Sequence, residues 1–116
     1  MSREKLGRDR IIRDRAVLKE TMRSGRAIRT EYFALRYTEG AGPPGVAFLA
    51  GRKVGKAVRR NRARRVLREA FRTSDVDLRG IATLIFLATD RTATGSYLEL
   101  KRSVDAALRR ATDRAG

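Results

Sequence analysis

Arg60, Arg64, Arg68 and Arg72 stand four residues apart, so on an α-helix they form one ladder of like charges in which each step costs roughly 0.2–0.5 kcal/mol. Intrinsic stability does not favour that spacing. A polyanion docked along the ladder would, because guanidinium forks match phosphate oxygens and each neutralised phosphate releases a counterion. The ladder lies in the most basic stretch of the chain, with ten Lys or Arg between Arg52 and Arg72 and a single acid, Glu69. Ala63, Val66, Leu67, Ala70 and Phe71 recur through it at the spacing of a core-facing helical stripe. At about 100° per residue, Asn61, Arg64, Arg65, Arg68 and Arg72 point away from that stripe and Arg62 lies at its flank. Arg59 and Arg60 fall nearer the apolar side, in the first turn. The competing interpretation, a basic face that is simply solvated, accounts poorly for the near absence of acids.

The remaining composition narrows the chemistry by exclusion. Histidine and cysteine are both absent, which removes the commonest general base, the thiolate ligands and any disulfide framework, and argues against a triad hydrolase or a self-sufficient metallonuclease. Glu31, Asp75, Asp77 and Asp90 are too scattered along the chain to suggest a metal site. A formal charge of +15 calls for an acidic partner, with nucleic acid first among candidates. Of the 28 basic residues 23 are Arg, which favours bidentate phosphate or base-edge contacts, although genomic composition produces the same bias. No apolar run approaches the ~20 residues needed to span a bilayer, and the amino-terminal MSREKLGRDR lacks the apolar stretch of a signal peptide. A soluble cytoplasmic protein with neither membrane nor small-molecule substrate is expected.

The elements that would position the ladder follow from periodicity. The 116 residues form a single domain able to bury about 60–70% of its unfolded surface, with residues 1–13 as a basic amino-terminal arm. Asp14 is a suitable N-cap for a short helix bearing Val17, Leu18, Thr21 and Met22, and Gly25 is suited to end it at the C′ position. Residues 30–38 alternate, with Phe33, Leu35 and Tyr37 on one side and Tyr32, Ala34 and Arg36 on the other. Turn chemistry from Glu39 to Gly45 and a short apolar strand over 46–50 then suggest a hairpin. The arginine helix is placed at 56–72, a fully covered central strand at 81–88, and a final helix after the capping-box pair Ser96 and Glu99. The order αββαβα describes a two-layer α+β sandwich with helices on a small mixed sheet. The strands flanking the arginine helix are expected to be parallel neighbours. Phe33, Phe48, Phe71 and Phe86 fall on apolar stripes and are assigned to the core. Leu18 and Met22 divide evenly between core and surface cleft.

Residues 56–69, KAVRRNRARRVLRE, with Gly55 before and Ala70-Phe71 after, resemble the signature helix of the bacterial ribonuclease P protein subunit. Its hallmark is the triplet Arg60-Asn61-Arg62, followed by the basic pair Arg64-Arg65 and then Arg68-Glu69. Element order, length and charge agree, and the resemblance extends over residues 6–111. It implies the small subunit of a ribonucleoprotein that removes the 5′ leader of precursor tRNA. It further implies that the RNA subunit performs the phosphodiester hydrolysis with bound Mg2+, leaving this chain without catalytic residues or cofactor. The fold implied is similar to the second domain of ribosomal protein S5, with a left-handed βαβ crossover where the general rule would give a right-handed one.

Carried over position by position, the resemblance assigns Arg60, Asn61, Arg62, Arg64, Arg65 and Arg68 to the ribonuclease P RNA. A cleft for the precursor tRNA leader would use Leu18 and Met22 on the first helix and Ala34 and Arg36 on the neighbouring strand, with Arg52, Lys53 and Lys56 at its mouth. Leu18 and Met22 stand where many family members have aromatic residues, so base stacking, worth ~1–3 kcal/mol per base, gives way to plain apolar contact. The segment Phe48-Leu49-Ala50-Gly51 also lacks the serines often found before the basic pair. Two other classes remain open. A ribosomal or other structural RNA-binding protein explains the charge but does not require the Arg-Asn-Arg offsets. A DNA-binding module explains the ladder, yet the element before it is a strand rather than the first helix of a helix-turn-helix.

Overall fold

A computed structural model describes residues 10–41 and 43–115. Helix α1 (Arg15–Ser24) is followed by strands β1 (Arg26–Arg29), β2 (Phe33–Glu39) and β3 (Gly45–Leu49), then a 3-10 turn (Arg52–Val54) and helix α2 (Ala57–Arg72). Strand β4 (Ile81–Ala88) and helix α3 (Tyr97–Ala115) complete the chain. The Asp14 carboxylate caps α1 by accepting from the Ala16 N–H at 2.9 Å. Gly25 ends the helix for a different reason from the one expected. Its backbone is extended rather than left-handed, but a Cβ there would collide with the carbonyl oxygen of Thr21 and come within 3.0 Å of that of Tyr37.

The strand order is β1-β2-β4-β3. β3 and β4 are parallel neighbours, as expected for strands flanking the arginine helix. The expected hairpin between 30–38 and 46–50 does not form, because β4 inserts between those two strands and pairs with both. The hairpin is instead β1–β2, with Arg26 opposite Tyr37 and Ile28 opposite Leu35. Its turn is closed by the Thr30 hydroxyl, which accepts from the N–H groups of Tyr32 and Phe33, both at 3.1 Å. β1 was missing from the expected order, which becomes αβββαβα within the same α+β sandwich.

Register divides the sheet into two faces. Phe33, Leu35 and Tyr37 share one with Leu84, Phe86, Val46 and Phe48, and α2 and α3 cover it through Leu67, Ala70, Phe71, Leu100, Val104 and Leu108. Phe86 is the hub: its ring lies 5.6 Å from Phe33, 5.4 Å from Phe48 and 5.7 Å from Phe71. All four phenylalanines are core, as assigned. Helix α1 lies over the other face, where the Thr83 hydroxyl bonds Thr21 at 3.1 Å and Thr38 at 2.6 Å.

Of the basic arm, residues 1–9 lie outside the described residues, and residues 10–12 are tied down. Ile11 bridges Val46 in parallel, the Ile12 N–H donates to the Val46 carbonyl at 2.9 Å, and Ile11 packs against the core. The capping box of α3 is half made. The Glu99 N–H donates to the Ser96 hydroxyl at 3.4 Å, while the Glu99 carboxylate accepts from the Tyr32 hydroxyl.

Candidate nucleic-acid interface

Ala63, Leu67, Ala70 and Phe71 are fully buried and anchor α2 to the sheet, which fixes the direction of its remaining side chains. Asn61, Arg62, Arg65 and Arg68 are exposed, and Arg60 and Arg64 are half-buried. The arginines on the β3 side have electrically neutral partners. Arg60 donates to the Gly55 carbonyl at 3.0 Å, Arg64 donates to the Asn61 side-chain oxygen, and the Arg68 guanidinium carbon lies 5.9 Å from the Phe48 ring centroid. Such contacts fix orientation and leave the charge uncompensated. Glu69 is engaged by the Arg72 fork at 3.2 and 2.7 Å, which holds its carboxyl below the usual carboxylate range. Arg62 and Arg65 have no hydrogen bond or ion pair among the described residues. The outer face is therefore a row of cations on an anchored helix, and the helix's one acid is committed to Arg72 at the far end.

The second group of residues converges on the opposite side of the sheet. The Arg36 guanidinium donates to the Met22 carbonyl, tying β2 to α1, and Leu18 lies one turn before Met22; both are half-buried. Ala34, Leu87 and Leu49 stand in register across three strands, each half-buried on the α1 side. Together they make a shallow apolar floor with Arg36 at its wall. Arg52 and Lys53 follow β3 in the 3-10 turn and are exposed.

Lys56 falls elsewhere. With Gly55, Val58, Arg59, Arg62, Ala93 and Thr94 it lines a hollow of about 470 Å³ between the first turn of α2 and the loop before α3. Lys56, grouped with the leader by resemblance, thus stands beside Arg62 of the RNA-subunit set. Gly55 reaches φ +134° to turn the chain into α2, and a Cβ there would strike the Arg59 side chain. Arg59, placed by helical periodicity nearer the apolar side, is exposed here, and Val58, Ala93 and Thr94 were given no role from the sequence. The one available signal was Val58, a valine on the helix's charged side.

The cation row of α2 and the half-buried Ala34, Leu87, Leu49 and Arg36 thus lie on opposite sides of the sheet. The family model for ribonuclease P matches residues 6–112. The chain belongs to that family. Among curated ribonuclease P protein components, that of Nocardioides sp. is 33% identical over 103 residues, covering 85% of this chain and 88% of the relative. That of Thermoanaerobacter sp. is 30% identical over 87 residues, covering 74% and 75%. The ribonuclease P protein of Staphylococcus aureus superposes with a TM-score of 0.75 at 19% identity, covering 88% of this chain and 94% of that one. The Thermotoga maritima protein gives 0.71 at 22%, covering 86% and 96%. At these identities the structural likeness establishes the ribonuclease P protein fold. Family membership leaves the ribosomal and DNA-binding alternatives without an observation in their favour.

Proposed function

We propose that this chain acts as the protein component of ribonuclease P, clamping the catalytic RNA with α2 and the 5′ leader of precursor tRNA with the cleft under α1. The observation that carries this reading is the run of cations from Arg60 to Arg68 on α2, a helix anchored by buried hydrocarbon, with no carboxylate paired to it among the described residues; the helix's one acid, Glu69, is taken by Arg72. Arg62 and Arg65, exposed and unpaired, would make the main phosphate contacts. Arg60, Arg64 and Arg68 are pre-oriented by their neutral partners, and Asn61 offers an amide to a backbone or base edge.

Leu18, Met22, Ala34 and Arg36 would receive the leader, with Arg52 and Lys53 drawing its phosphates past the end of β3. The phosphodiester hydrolysis is assigned to the RNA subunit and its Mg2+ ions. In this reading the protein's part is to bind and position. No helix among the described residues is long and apolar enough to cross a membrane, and a cytoplasmic site of action is part of the same proposal.

Reconstitution tests this directly. The protein alone should leave precursor tRNA intact, and adding a cognate RNA subunit at low magnesium should give cleavage faster than the RNA alone. Turnover by the RNA-free protein, or no stimulation of the RNA, would overturn the assignment.

A further inference from the structure

The hollow beside Arg62 has properties that a phosphate-binding helix face does not require. Its volume of about 470 Å³ falls within the ~300–1,000 Å³ of pockets that enclose small ligands. Val58, 81% exposed, and Ala93 give it apolar walls. The side chains of Lys56, Arg59 and Arg62 surround these walls with no hydrogen bond or ion pair among the described residues. The Thr94 hydroxyl donates to the Asp90 carbonyl at 3.1 Å, leaving its lone pairs free to accept. A lone exposed valine is ordinary on a protein surface, but this one lines a half-open hollow with three cations whose side chains are unpartnered among the described residues. The site also lies where the chain leaves the carboxyl ends of the parallel strands β3 and β4, the end of such sheets at which ligands bind.

We propose that this hollow receives a single unstacked nucleotide of the RNA subunit. The inference rests on the ribonuclease P reading and extends it from the helix face to one pocket. The base enters against Val58 and Ala93, and the guanidinium plane of Arg59 lies on it, as arginine does on unstacked RNA bases. Lys56 and Arg62 meet the flanking phosphates. A stretch of regular duplex has no base free to enter, so the slot selects an RNA with a bulged or looped residue at this point.

Two variants separate the slot from the surrounding charge. Ala93→Trp fills the hollow and Val58→Ser removes an apolar wall at a solvent-exposed position; neither deletes a cation. Both should weaken RNA-subunit binding about tenfold while leaving the slope of log K against log salt unchanged, because no phosphate contact is lost. In the wild-type complex, 2′-hydroxyl acylation should reveal one nucleotide made hyper-reactive by the protein, and that signal should vanish with either variant. Should Ala93→Trp disturb folding, read from its circular dichroism, Val58→Ser decides. Wild-type affinity and an unchanged reactivity pattern in Val58→Ser would overturn the slot. Failure of the wild-type protein to bind the RNA subunit at all would instead overturn the ribonuclease P reading.

Discussion

The two faces of β4 serve different ends within one strand. Leu84 and Phe86, both fully buried, point into the layer made by α2 and α3, while Thr83 and Leu87 on the α1 side are half-buried. One face is packed to exclusion, around an aromatic hub that also holds the arginine helix in place. The other buries Ile85 beside Ala47, is bridged by hydroxyls and one guanidinium, and leaves Thr83 and Leu87 half-covered. Tight packing is therefore concentrated on the α2 and α3 side of the sheet, and the α1 side is the looser of the two. The arginine helix combines both requirements by setting its hydrocarbon against the packed face and its charge toward solvent.

The sharpest break in this contrast is Phe86→Ala, which removes the ring shared by Phe33, Phe48 and Phe71 and should destabilise the protein by about 3–5 kcal/mol, measured by thermal or urea unfolding. Arg62→Ala combined with Arg65→Ala should do the reverse. Its melting temperature should stay near wild type, while RNA-subunit affinity falls and the salt slope becomes shallower by about two. A large loss of melting temperature with intact RNA affinity would contradict the division of labour on α2.

Thr83→Val strips the bridging hydroxyl and leaves those of Thr21 and Thr38 without it, for an expected loss of about 1–3 kcal/mol confined to unfolding experiments. Leu87→Ala, on the exposed part of the same strand face, should cost only about 1–2 kcal/mol. It should reduce the preference for leader-bearing over leaderless tRNA in competition binding. The smallest effect concerns Tyr32, whose hydroxyl donates to Glu99. That bond raises the phenol above its ordinary value near 10, so its contribution to stability is complete below that value and is lost as pH rises through the raised one. Tyr32→Phe should flatten this alkaline loss in melting curves taken at rising pH.

Sequence periodicity located α2, β4 and the ends of α1 because each carries a strong local signal: a wide apolar stripe, an unbroken apolar run, an aspartate cap. β1 escaped because Arg26–Arg29 buries only Ile28, too little for alternation to register. The hairpin was misplaced because turn residues between 39 and 45 look the same whether the flanking strands pair or are parted by a third. Only the β4 register resolves that. The arginine face was legible from spacing alone, whereas the hollow was not, since Ala93 and Thr94 approach α2 through the fold and neither residue type attracts notice.

The strand at the middle of the sheet is also the last one in the chain. While the polypeptide leaves the ribosome, β2 and β3 have no shared neighbour, and the apolar stripe of α2 has no complete surface to settle on, until residues 81–88 emerge. Long-range pairing of this kind delays assembly. The nascent chain would therefore carry its arginines on an unanchored segment, and α2 would gain its fixed outer face only once β4 has been made.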